Sequence, residues 1–183
     1  MTPLQQAAVL ALSVVAMSAV ASHATAAPQH DAAGWVQTGE GVRTKKVALM
    51  NFDVYAISHF VKGTPPPKSK AAVIATDIDK KFVWTMLRDV EHEKIVDALR
   101  EAYGMNGYGN AGKIGAFLGA FKGELKKGSK VTIAYDSAAK KTTVTTSSGS
   151  ATVEGEDFMR GTWSIWFGKI DKPELGDALI KNL

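Results

Sequence analysis

The chain has 183 residues, 45% of them hydrophobic, and a formal net charge of +4, which suits one core of ordinary size and is too little for two full domains. It contains no cysteine, which excludes disulfides, thiol catalysis and cysteine-based zinc sites and leaves the fold to rest on its core. The paired lysines at 45–46, 80–81, 126–127 and 140–141 are interspersed with acids, so they read as solvated faces and not as a nucleic-acid stripe.

Ala7 to Ala21 is an uncharged apolar run, and Ala24-Thr25-Ala26 has the small-residue pattern of a signal-peptidase site. The run is too short to span a bilayer well. Residues 1–26 are therefore expected to be a cleaved signal peptide and the product periplasmic or secreted, although the opening MTPLQQ lacks the usual Lys or Arg. Residues 27–33 read as a linker, and 34–183 as the folded domain.

"GEGVRTKKVALMNFDVYAISHFVKG" is rich in β-branched and aromatic residues and reads as a strand pair turning at Met50-Asn51, or as one long bent strand. Alternation places Tyr55, Ile57 and His59 on one face and Val54, Ala56, Ser58 and Phe60 on the other. "GTPPPKSK" cannot join a ladder and must be loop. "AAVIATDI" and "KFVWTML" then read as strands.

The second of these runs into "RDVEHEKIVDALREAY". Asp89 suits an N-cap, Glu91 and Glu93 suit the first turn, and Ile95, Leu99, Ala102 and Tyr103 recur with helical spacing. A two-histidine zinc motif would need a second His at position 96, which is Val. No metal site is expected. Arg88, at the end of the strand, can face either water or a cleft.

Gly107, Gly109 and Gly112-Lys113 half-match two phosphate-binding loops. Both matches fail on context, because a helix precedes the glycines where a strand is required and Ile114 stands where a magnesium-binding hydroxyl would be. No nucleotide or other cofactor is expected, and the segment reads as a helix-to-helix connection. "KKGSKVTIAYDSAAKKTTVTTSSGSATVEG" reads as a three-strand meander with turns at Asp136 to Lys140 and Ser147 to Ser150. A helix over Asp157 to Phe167 stops at Gly168, and Pro173 to Lys181 is a last short helix opened by Asp171 and Glu174. Phe158, Met159, Trp163, Ile165, Trp166 and Phe167 make the first of these apolar over more than one stripe. It must be covered on two sides, by core or by a ligand cleft.

The succession of strands, helices, strands and helices predicts an α+β fold, an antiparallel sheet with helices on one face. In order and spacing, "GEGVRTKKVALMNFDVYAISHFV", "LRDVEHEKIVDALREA", "KKGSKVTIAYD" and "EDFMRGTWSIWFG" resemble the chalcone isomerase-like family in its short exported bacterial branch. The resemblance implies an open-faced β-sandwich with a ligand cleft between sheet and helices. It also implies either an isomerase that closes a chalcone to a flavanone or a non-catalytic binder of fatty acids.

Arg43 matches the family's early arginine, which would be catalytic only in an isomerase. Where the isomerases carry Thr, Tyr55 matches the binders. The isomerases' Tyr and Asn fall on Lys94 and Glu101, and their late Ser or Thr falls on Met159, so the expected polar partners are missing. The resemblance thus implies a fatty acid or similar amphipathic acid as the partner, held by Arg43 and Tyr55 with Arg88, Met159 and Trp163 at the cleft. Alternatives are an isomerase on a chalcone-like substrate, or an interaction module with no small ligand.

Overall fold

A computed structural model describes residues 33–183, so the expected signal peptide and most of the linker lie outside the described residues. Six strands form a single antiparallel sheet in sequential order, β1 (Trp35–Val47), β2 (Met50–Lys62), β3 (Lys80–Met86), β4 (Lys130–Asp136), β5 (Lys141–Thr145) and β6 (Ser150–Glu154). The helices are α1 (Lys70–Ala75), α2 (His92–Met105), α3 (Ala111–Leu118), α4 (Glu156–Phe167) and α5 (Pro173–Ala178). Burial alternates along β3 and β4, so one face of the sheet is covered and the other is open. This is the α+β open-faced sandwich expected from the sequence.

The covered face presents Ile57, Phe82, Trp84, Ile133 and Tyr135 to Phe158, Trp163 and Trp166 of α4, all of them buried. Each large apolar side chain so removed from water contributes about 1.5–3 kcal/mol. Eight of the twelve residues of α4 are buried, because the sheet covers one side of this helix while α1, α2 and α5 pack on others. Its apolar excess is therefore mainly core.

Several local expectations are corrected. "AAVIATDI" is no strand: its first half belongs to α1, which Ser69 starts by accepting from Ala72 N and Thr76 stops by donating to Ala72 O at 2.7 Å. The hairpin turns at Ala48-Leu49, two residues before the expected place, with Ala48 at φ +53°. Asp89 does not cap α2; it accepts from Lys127 N at 2.8 Å and Lys126 Nζ at 3.1 Å, and Glu91 is the N-cap without a side-chain bond. Asp171 does not open α5, whose N-cap is Lys172, and that helix ends at Ala178.

His59 is fully buried on β2 and ties four elements together. Trp163 Nε1 on α4 donates to its Nε2 at 2.9 Å, which leaves the ring proton on Nδ1, 2.6 Å from Thr38 Oγ1 on β1. Thr38 in turn donates to Leu179 O, just past α5, at 2.7 Å. Burial, reinforced by the charge of Lys80, holds His59 well below the ordinary imidazole range. In the unfolded chain this histidine titrates near 6.5, so below that pH the unfolded state binds a proton that the folded state refuses. Stability is expected to be full above pH 6.5 and to fall by up to about 1.4 kcal/mol per pH unit below it through this group alone. Urea unfolding of wild type and His59→Gln at pH 7.5 and pH 5 checks this: the acid-side loss from this group should be absent in the variant.

Candidate ligand-binding site

Arg43 and Tyr55 are direct cross-strand partners in the β1–β2 ladder. The next pair is Thr44 with Asp53, so Val54 is an extra residue, a β-bulge. The bulge changes which side chains face the helices. Unbroken alternation from Tyr55 would turn Phe52 to the open face, but with Val54 inserted Phe52 stands opposite Lys45 and lines the same cavity as Arg43 and Tyr55.

That cavity has a volume of about 830 Å³ and lies between the β1–β3 end of the sheet and a wall made by α2, the end of α4 and the segment before α5. Its size is that of a small-molecule site. Val54, Trp84, Ile95, Leu99, Ile165 and Ile170 give it apolar walls. Its lining also carries charge, including Arg43, Lys45, Arg88, Lys94, Glu101 and Asp171.

Arg43 donates from Nη1 to Asp171 Oδ1 at 2.6 Å, with 20% of the arginine side chain exposed. Burial raises the Asp171 carboxyl, but the Arg43 hydrogen bond and charge, helped by Lys45, outweigh it and hold the group below its ordinary range. Tyr55 stacks on Trp84 with ring centroids 4.5 Å apart and accepts from Trp166 Nε1 at 3.1 Å. Burial raises its phenol above the usual range against the opposing pull of Trp166 and Arg43, so it is neutral. Its oxygen is engaged by the indole, and its own proton is left to give. Trp84 Nε1, also buried, has no acceptor among the described residues.

Arg88 lines the cavity with its guanidinium 4.6 Å from the centre of the Phe52 ring. Of the positions where the isomerases carry polar groups, Lys94 and Glu101 both line the cavity, and Lys94 is paired with Glu91 at 3.1 Å. Met159 and Trp163 are corrections to the expected lining. Both are fully buried and neither borders the cavity, because they lie on turns of α4 packed into the core, where Trp163 serves His59. The α4 residues that do reach the cavity are Ile165 and Trp166. Sequence reasoning also passed over Trp84 and Asp171. Trp166 was visible as part of an apolar helix, but nothing local separates a wall residue from a core residue.

A family model described as chalcone isomerase-like matches residues 20–179. The chain belongs to the chalcone isomerase-like family. Among solved structures it is similar to the fatty-acid binding protein AtFAP1 of Arabidopsis thaliana, with a TM-score of 0.69 and 17% identity over 85% of this chain and 91% of that one. At that identity the likeness bears on the fold. A comparison with curated protein sequences gives no match. In this chalcone isomerase-like protein the expected site residues thus divide: Arg43, Tyr55 and Arg88 share one cavity, and Met159 and Trp163 belong to the core.

Proposed function

We propose that the protein is an exported, non-catalytic binder of a fatty acid or similar amphipathic acid, held in the cavity between the sheet and α2. The observation that carries this reading is the direct pairing of Arg43 with Tyr55 at one end of an apolar-walled cavity. A guanidinium and a neutral phenol with a free proton suit a carboxylate through charge-assisted hydrogen bonds, and the apolar walls suit an acyl chain. The name of the Arabidopsis relative supports the same class of ligand. Ring closure of a chalcone would need further donors placed where charge develops, and the nearby Lys94 is already tied to Glu91.

Native mass spectrometry of protein from its own host, with extraction of bound lipid, tests the reading. A stoichiometric acid supports it, and an empty protein that turns over a chalcone overturns it. The same spectrum tests export, which predicts a chain beginning at Ala27 or Pro28; a product starting at Met1 defeats that part.

Asp171 makes a further difference. Its carboxylate occupies the guanidinium that a ligand carboxylate would use, and as a half-exposed ion pair it contributes about 1 kcal/mol. Asp171→Asn is expected to tighten a long-chain fatty acid by roughly fivefold, and Tyr55→Phe to weaken it by roughly two- to tenfold. Titration calorimetry of both variants measures this. A weaker Asp171→Asn complex would mean that Asp171 positions Arg43 and does not compete for it.

A further inference from the structure

The β1–β2 hairpin runs beyond the cavity and ends in an uncovered apolar tip. Leu49 is 92% exposed, Met50 63% and Val47 56%. Exposed apolar side chains scattered singly are ordinary, whereas a contiguous cluster marks a surface that meets something. The turn is tight, since Val47 and Met50 at its two ends are still paired and Ala48 takes a left-handed conformation. Leu49 is therefore carried on a narrow, two-stranded projection.

The flank of this projection identifies the partner's chemistry. Lys45 and Lys46 precede the apolar residues, and no acid occurs from 45 to 52. Neither lysine forms a direct salt bridge among the described residues, and Lys45 acts on the Asp171 carboxylate only through its charge. The nearest acid along the hairpin, Asp53, accepts from Thr44 Oγ1 at 2.9 Å. Apolar side chains at the end of a projection with two cations behind them match a surface whose outer layer is anionic and whose interior is hydrocarbon. A second copy of the chain is a poorer match, because tip-to-tip contact would bring four lysines together.

We propose that the tip of the hairpin docks on an anionic lipid bilayer, with Leu49 and Met50 entering the boundary between headgroups and acyl chains and Lys45 and Lys46 lying on the lipid phosphates. The tip is continuous with the cavity, whose lining includes Lys45, Val47 and Phe52. Docking there brings the mouth of the cavity to the membrane, so an amphipathic acid can pass between the two with little exposure to water. That last consequence rests on the proposed function, whereas the docking itself does not.

The chain has no cysteine, so Leu49→Cys in the full chain gives a single site for an environment-sensitive fluorophore. Ala138→Cys places the same label at the β4–β5 turn, at the opposite end of the sheet. With vesicles of equal parts phosphatidylcholine and phosphatidylglycerol, and no fatty acid present, the label at 49 should brighten and shift to the blue while the label at 138 stays silent. Vesicles of phosphatidylcholine alone should give a much smaller change. Adding Lys45→Glu and Lys46→Glu should raise the lipid needed for half the effect by roughly tenfold or more, and Met50→Ser should raise it by several-fold.

A label at 49 that ignores anionic vesicles, or answers equally with both lysines reversed, overturns the proposal. So does an equal response at 138, or a change that follows protein concentration without lipid, which would identify a second copy as the occupant. Because no fatty acid is present, failure of the ligand reading leaves this result untouched, and its own failure leaves the ligand reading standing.

Discussion

Arg43→Ala is expected to weaken a long-chain fatty acid by roughly ten- to a hundredfold, on the basis of about 1.5–3 kcal/mol for a charge-assisted hydrogen bond shielded from water. The upper end is the better expectation. Removing the guanidinium also frees the Asp171 carboxylate, which then repels the ligand's own. Arg43→Ala combined with Asp171→Ala should therefore recover part of the loss. Folding should survive, because the ion pair that Arg43 makes with Asp171 is partly exposed and contributes little to stability. For the matching fatty alcohol the Arg43 effect should largely vanish. Equal losses for acid and alcohol, or unchanged acid affinity in the folded variant, would remove Arg43 from the head-group site.

The second large effect concerns stability. Lys80 opens β3 and is fully buried, with Nζ donating to Val73 O at 2.6 Å, Thr76 O at 2.9 Å and Ile74 O at 3.3 Å. All three ammonium protons are used on the C-terminal carbonyls of α1, and the charge lies 5.1 Å from the centre of the Trp163 ring. Burial pushes the lysine down to about 7, with Asp77 opposing. Lys80→Met keeps the stem and removes the donors, leaving those carbonyls without partners. A loss of about 3 kcal/mol or more is expected, since each buried polar group left unpaired costs about 1–3 kcal/mol, and for a domain of this size that is a fall in Tm of roughly 6–12 °C. A thermal melt of Lys80→Met within a degree of wild type would mean that water or another donor serves these carbonyls equally well.

The sequence made legible whatever repeats with a period. Tyr55, Ile57 and His59 alternate onto the buried face, Ile95, Leu99, Ala102 and Tyr103 recur as the buried stripe of α2, and the meander β4–β6 falls between its expected turns. Features set by distant partners were not legible. The segment "AAVIATDI" has strand-like composition, yet a serine cap at one end and the buried Lys80 at the other make part of it helical. Asp89 looks like a cap and is used instead by Lys126 and Lys127 from another segment.

The site shows the same division. Arg43 and Tyr55 could be named from family spacing, but the partner of Arg43 stands 128 residues away. The bulge at Val54 leaves no mark on the hydrophobic pattern, so the inward turn of Phe52 was hidden. Met159 follows from family spacing and Trp163 from the apolarity of its helix, and apolarity is equally what a core requires.

The covering of β1 has a consequence for the order in which the molecule is made. Thr38 donates to Leu179 O across 141 residues, Asn182 N donates to Thr38 O at 2.9 Å, and Gly39 lies so close under Ala178 and Leu179 that a side chain there would collide with their backbone. A chain emerging from the ribosome has its first strand long before it has the segment that seats on that strand. The bonds that join these two segments form only once residues 179–182 are out, which makes closure a late, non-local event. Until then the nascent chain lacks the seal on its own first strand.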